Sequence, residues 1–110
     1  MAEIGYEQFA AMDLRVGEIE SAERVEGTEK LLKLSVNVGG EIGRRTLVAG
    51  IADAYAPETL PGKRIIVLVN LAPRVIRGIE SQGMLLAADV GGKAAVLSVD
   101  GGAPPGAKVR

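Results

Sequence analysis

The chain has 110 residues, enough for one domain that buries roughly 60 to 70% of its unfolded surface without a covalent staple. It contains no cysteine and no histidine, which excludes disulfides, thiolate metal sites and any Ser-His or Cys-His nucleophile, and fits a reducing cytoplasm. The net charge of −1 conceals a division: residues 1–29 hold eight acidic side chains against Arg15 and Arg24, whereas residues 30–77 hold eight basic ones against Glu41, Asp53 and Glu58.

From the N-terminus, Tyr6, Phe9, Ala10 and Met12 stand at helical spacing and predict a short helix laying an apolar face on the core. DLRVGEIESAERV at 13–25 reads as a first strand, with Leu14 and Val16 on one face and Ile19 on the other; Gly17 between them predicts a bulge that bends the strand toward barrel closure. KLLKLSVNV at 30–38 alternates cleanly, with Leu32, Leu34, Val36 and Val38 inward and Lys33, Ser35 and Asn37 outward. Gly39 and Gly40 signal a turn into a third strand at 45–50, a pairing that could bring Lys30 and Lys33 near Arg44 and Arg45.

Residues 51–60, alanine-rich but broken by Pro57, predict one or two helical turns, and 64–69 has the unbroken apolar character of a strand covered on both faces. NLAPRVIRGIESQGMLLAA at 70–88 then opens into a polar, basic crossing between two apolar runs. Pro73 disfavours helix, and Gly78 and Gly83 allow backbone angles closed to other residues, so the segment reads as a shaped loop or irregular edge strand, suited either to a ligand or to plain solvation. Strands are expected at 84–90 and 94–99, then a glycine- and proline-rich tail. Short strands, glycine corners and one helical insert predict an all-β chain with short helical inserts: a five-stranded OB-fold barrel with an N-terminal helix, spanning 1–110 as one domain.

No GxxxxGK[ST] or GxGxxG motif is present, and the carboxylates are dispersed without metal-ligand spacing. Neither a cofactor nor a metal is expected, and no catalytic pair stands out. No apolar run approaches the roughly 20 residues that span a bilayer. The acidic start lacks the basic-then-apolar order of a signal peptide, so a soluble, cytoplasmic protein is expected. The cationic middle could meet a polyanion if folding gathers it on one side, or could simply coat strand exteriors.

Six blocks narrow the choice. MDLRVGEI (12–19), VEGTEKLLKLSV (25–36), VAGIADAY (48–55), PETLPGK (57–63), NLAPR (70–74) and SQGMLLAA (81–88) stand in the order and rough spacing of tRNA-binding domains of the methionyl-tRNA synthetase C-terminal type, which the chain resembles over nearly its whole length. That resemblance implies an OB-fold homodimer that binds the folded outer corner of tRNA without reading an anticodon. It would act as a free-standing protein, a synthetase β-subunit or part of a longer synthetase, and its partners would be tRNA and an aminoacyl-tRNA synthetase. The positions matching the family pattern are Lys30, Lys33, Asn70, Arg74, Ser81, Gln82 and Met84; Arg44, Arg45 and Arg77 join them on charge alone. Lysine and arginine would neutralise phosphates, and Asn70, Ser81 and Gln82 could hydrogen-bond ribose or base edges. Met84 either meets the ligand or packs in the barrel.

The chain departs from the pattern after NLAPR, where many relatives carry a lysine and this sequence has Val75 and Ile76. With only Tyr6, Phe9 and Tyr55 as aromatics, stacking of single-stranded bases is not expected, leaving recognition of RNA shape through its backbone. The region 94–109 and the N-terminal helix are the expected dimer interface. CsaA-type export chaperones share the fold and the MDLRVG-like opening, so a peptide-binding or protein-docking module is the alternative.

Overall fold

The alternation at 32–38 becomes β2 (Leu32–Asn37), which buries Leu32, Leu34 and Val36 fully and leaves Lys33, Ser35 and Asn37 partly exposed in the computed structural model, which describes residues 2–110. β2 runs antiparallel to β1 (Leu14–Arg24) on one edge and to β3 (Arg44–Ala49) on the other, with Ile19 opposite Val36 and Leu34 opposite Leu47. The first half of β1 pairs with β4 (Arg64–Leu68), and β4 with the short β7 (Met84–Leu85). The order β3-β2-β1-β4-β7 is a five-strand antiparallel sheet, rolled so that its two end strands approach each other in a nearly closed OB-type barrel. β10 (Lys108–Val109) pairs with the start of β1, on the side away from β4.

The interior is aliphatic. Ile19, Leu32, Leu34, Val36, Leu47, Leu60, Ile65 and Val67 are almost wholly buried, each contributing about 1.5–3 kcal/mol of transfer free energy. Leu60 enters from the expected helical insert, which is realised as a turn at 52–54 and a 3₁₀ turn at Pro57–Thr59.

Gly17 does not make the bulge. It pairs regularly with Ile65, and the register of β1 on β2 shifts between Ile19 and Ser21, so Glu20 is the extra residue. The glycine is needed for space: a Cβ at position 17 would lie 2.6 Å from Val36 Cγ1 and 3.1 Å from Val67 Cγ2, where β2 and β4 close over β1. A bulge accepts many residue types, whereas a packed crossing accepts only a missing side chain.

The N-terminal helix α1 (Tyr6–Ala10) also differs from its expected role. Tyr6 is 79% exposed and no residue of the helix is buried, because five residues give too few turns to lay a stripe on the barrel. The turn after β2 is a single helical turn, α2 (Gly39–Ile42). Gly39, at φ +85°, lets the tail pass so close that a Cβ there would stand 2.8 Å from the Pro105 carbonyl oxygen.

The central crossing folds as a regular hairpin. β5 (Arg74–Ile76) and β6 (Ile79–Ser81) pair Arg74 with Ser81 and Ile76 with Ile79. Arg77 and Gly78 at its tip both have positive φ, 53° and 78°, as a two-residue type I′ turn demands. Beyond β7 the chain switches partners at Leu86, whose N–H donates to Ile66 and whose carbonyl accepts from Leu97. The expected strands at 84–90 and 94–99 are accordingly split, and β8 (Ala87–Val90) with β9 (Lys93–Val96) forms a separate, largely exposed hairpin. Among the described residues no helix is long and apolar enough to cross a membrane.

Candidate nucleic-acid interface

The free edge of β3 would leave backbone donors unpaired, and the SQGM segment meets it with side chains. Ser81 Oγ accepts from the Val48 N–H at 3.0 Å and donates to the Gly83 carbonyl at 3.1 Å. Gln82 engages Thr46 twice: its Oε1 accepts the Thr46 N–H and its own N–H donates to the Thr46 carbonyl. Gly83, at φ +130°, passes so near β4 that a Cβ would stand 2.7 Å from the Leu68 carbonyl oxygen. Met84 then pairs with Leu68 and stays 46% exposed, so it faces solvent instead of the barrel core. Four consecutive residues thus carry the chain from one end strand of the sheet to the other.

The seam holds the β5–β6 hairpin against β3, and several cations collect there. Arg74, opposite Ser81, lines a small cleft with Val48, Ile76 and Met84. Lys33, opposite Val48 on β2, lines an open groove of about 350 Å³ with Thr46, Gly78, Glu80 and Gln82. Arg77 reaches from the hairpin tip to the Gly27 carbonyl at 3.3 Å, in the loop that also carries Lys30. Lys30 and Arg74 form no ion pair among the described residues, and Lys33 has only Glu23 at 3.7 Å, both exposed. An exposed pair at that distance is worth well under about 1 kcal/mol, which leaves these charges available to a ligand.

The other expected positions are more committed. Arg44 and Arg45 stand opposite Asn37 and Val36, at the far end of the β2–β3 hairpin from Lys33, so the expected meeting of these lysines and arginines does not occur. Arg44 forms a two-point ion pair with Glu20, whose hydrogen bond and charge push the guanidinium above its ordinary value. Arg45, half-buried, donates to the carbonyls of Val69 and Gln82, both at 3.2 Å. Asn70 accepts from the Asp13 N–H and donates to the Ala11 carbonyl, tying the end of β4 to the segment after α1. Ser81 is 5% exposed. Lys63 and Arg64 of the same cationic block fall in a separate cleft with Tyr55, Val96 and Ser98.

Three residues beside the cations were not among the expected contacts. Thr46 and Glu80 line the groove, and Val75, 72% exposed, stands between Arg74 and the hairpin tip. Val75 carried a signal as the departure from a common lysine; Thr46 carried none, because its place depends on a partner 36 residues away. Among the described residues no group of three or more Asp, Glu, His or Cys could hold a metal.

Comparison with known proteins bears on this geometry. A family model described as "Putative tRNA binding domain" matches residues 14–108. Methionine–tRNA ligase of Methanothrix thermoacetophila is 49% identical over 107 residues, and that of Caldanaerobacter subterraneus subsp. tengcongensis 52% over 106; the matches cover 97% and 96% of this chain but 16% of each ligase. The chain therefore spans about one-sixth of the length of these curated relatives. Among solved structures, a MetRS-related protein from Pyrococcus horikoshii superposes with a TM-score of 0.92 at 40% identity, covering both chains completely. The CsaA chaperone protein of Picrophilus torridus gives 0.90 at 33%, covering 98% of this chain and all of its own. The chain belongs to the tRNA-binding domain family, related both to methionine–tRNA ligases and to CsaA chaperones.

Proposed function

We propose that this domain binds folded tRNA, without catalysis, through the face built by the β5–β6 hairpin, the outer side of β2 and the β1–β2 loop. The observation that carries the reading is that Lys33, Arg74 and Arg77 stand around one seam, with Lys30 in the loop that Arg77 reaches, and that of the four only Lys33 has an ion-pair partner among the described residues. Their spread over three elements suits phosphates of a folded RNA better than a single extended strand, and Tyr6, Phe9 and Tyr55 line other clefts, leaving no aromatic platform for unpaired bases on this face among the described residues. It reads shape at the outer corner of tRNA, not an anticodon.

Two copies act together. Ile4, Tyr6, Val90 and Leu97 are large apolar side chains left exposed on α1, the segment before it and the β8–β9 region, and pairing across them joins two weak cationic faces into one stronger ligand for a polyanion. In the cytoplasm such a dimer raises the affinity of a methionyl-tRNA synthetase for its tRNA, or serves as a free tRNA-binding protein.

A second reading has its own support: Val75 and Met84 are exposed beside the cations, and a CsaA chaperone shares the fold at a TM-score of 0.90. An apolar peptide could rest there. Titrating mixed tRNA and an unstructured RNA at several salt concentrations, on protein of known mass in solution, separates the two. Four phosphate contacts predict a log–log salt slope of about −3 per protomer and preference for tRNA. A flat slope with preference for apolar peptides contradicts the tRNA reading.

A further inference from the structure

The seam between β3 and the SQGM segment has a consequence for the binding face, resting on the tRNA reading above. Ser81, Gln82 and Arg45 each commit a polar side-chain atom to backbone groups of the seam. Ser81 Oγ takes the Val48 N–H and gives its hydrogen to Gly83; Gln82 Oε1 takes the Thr46 N–H; Arg45 Nη1 spans the Val69 and Gln82 carbonyls. The residues that flank them carry the uncommitted charge: Arg74 is the strand partner of Ser81, and Lys33 is the strand partner of Val48.

The geometry points to Ser81, Gln82 and Arg45 as positioning residues that brace the β5–β6 hairpin on β3, so that Arg74 and Arg77 meet Lys33 at a fixed spacing before RNA arrives. The hairpin pairs only with itself as a sheet, so the side-chain bonds of the seam substitute for the missing strand ladder between β6 and β3. Weakening the seam lets the hairpin leave β3. RNA must then select the closed fraction, which lowers apparent affinity without changing the contacts in the complex.

This role and direct contact with RNA leave different signatures. In Ser81→Ala the Val48 amide loses its acceptor, and its hydrogen exchange in the free protein rises by about tenfold or more. Affinity for tRNA falls by about three- to tenfold, while the salt slope stays that of the unmodified protein. Gln82→Ala, at a half-exposed site that keeps its backbone bond to Thr46, does the same at the Thr46 amide and guards against a failure of the first variant to fold. Ser81→Thr, which retains the hydroxyl, restores both readouts. Arg74→Ala shows the converse: unchanged exchange and a slope smaller by about 0.7 to 0.9.

Weakened binding with unchanged amide protection in the seam variants overturns the inference in favour of direct contact. Faster exchange with undiminished affinity overturns it as well, since the seam would then not govern the face. If the unmodified protein shows no salt-dependent tRNA affinity, the binding reading itself has failed and takes the positioning role with it, an outcome visible before any variant is made.

Discussion

Arg74 and Arg15 are the same side chain placed in two different regions, and the contrast separates charge that folds the chain from charge that is left over. On the β10 side, Arg15 is held by Asp13 at 2.6 Å and by the Gly106 carbonyl, with Glu41 further out. Arg64 likewise joins Glu18 to the Ala103 carbonyl. These arginines fasten the tail to β1 and β4. On the hairpin face, Arg74 has no such partner among the described residues and Arg77 has a single backbone acceptor. Asp13 and Glu18 near the start of the chain thus neutralise arginines that fasten the tail, whereas Arg74 and Arg77 on the hairpin form no ion pair among the described residues. A count of charge along the chain cannot make that distinction; partner geometry does.

The largest expected effect breaks the seam that supports the surplus. Gly83→Ala forces a side chain into a left-handed backbone position and against the Leu68 carbonyl, and urea denaturation should show a loss of about 3 kcal/mol. Arg74→Ala should weaken tRNA binding by about tenfold and leave the thermal midpoint within about 2 °C. Equal loss of both would mean that Arg74 serves the fold. Lys33→Ala follows at about threefold, since Glu23 already screens part of its charge. Val75→Lys sharpens the contrast in the other direction, because it adds a cation at an exposed site on the same hairpin. Gel shifts should show tighter binding at low salt and a slope larger by about 0.7 to 0.9.

The smallest effect is with pH. The chain has neither histidine nor cysteine, and Arg15 and Arg44 are both raised above the ordinary arginine value, first by hydrogen bonds to Asp13 and Glu20. A raised arginine contributes its stabilisation at every pH below its ordinary value and loses it only as the pH climbs through the folded value. Both stability and tRNA affinity should therefore stay flat between about pH 6 and 8, the α-amino group aside; a step in that window would reveal a titrating group at the interface.

The barrel was legible wherever one residue reports its own environment. Lys33, Ser35 and Asn37 alternate with Leu32, Leu34 and Val36, and that period alone orients β2. Gly17 misled, because a missing side chain reads as a bulge when it can equally serve a close crossing, which only the positions of Val36 and Val67 reveal. Tyr6 and Phe9 had helical spacing, but spacing does not show whether a five-residue helix finds a surface to cover. The family blocks pointed to Ser81 and Gln82 as contacts for ribose or base edges, whereas both bond backbone groups of the protein. Their bonds to Val48 and Thr46 join segments 33 and 36 residues apart, a relation that no local pattern encodes.

Salt dependence of tRNA affinity, compared between the unmodified protein and its Arg74→Ala and Arg44→Ala variants, tests the separation of the two kinds of charge most directly. The hairpin face predicts a slope of about −3 per protomer, smaller in magnitude by about 0.7 to 0.9 without Arg74 and unchanged without Arg44, which is spent on Glu20. A slope near zero, or an equal reduction from both variants, would contradict it.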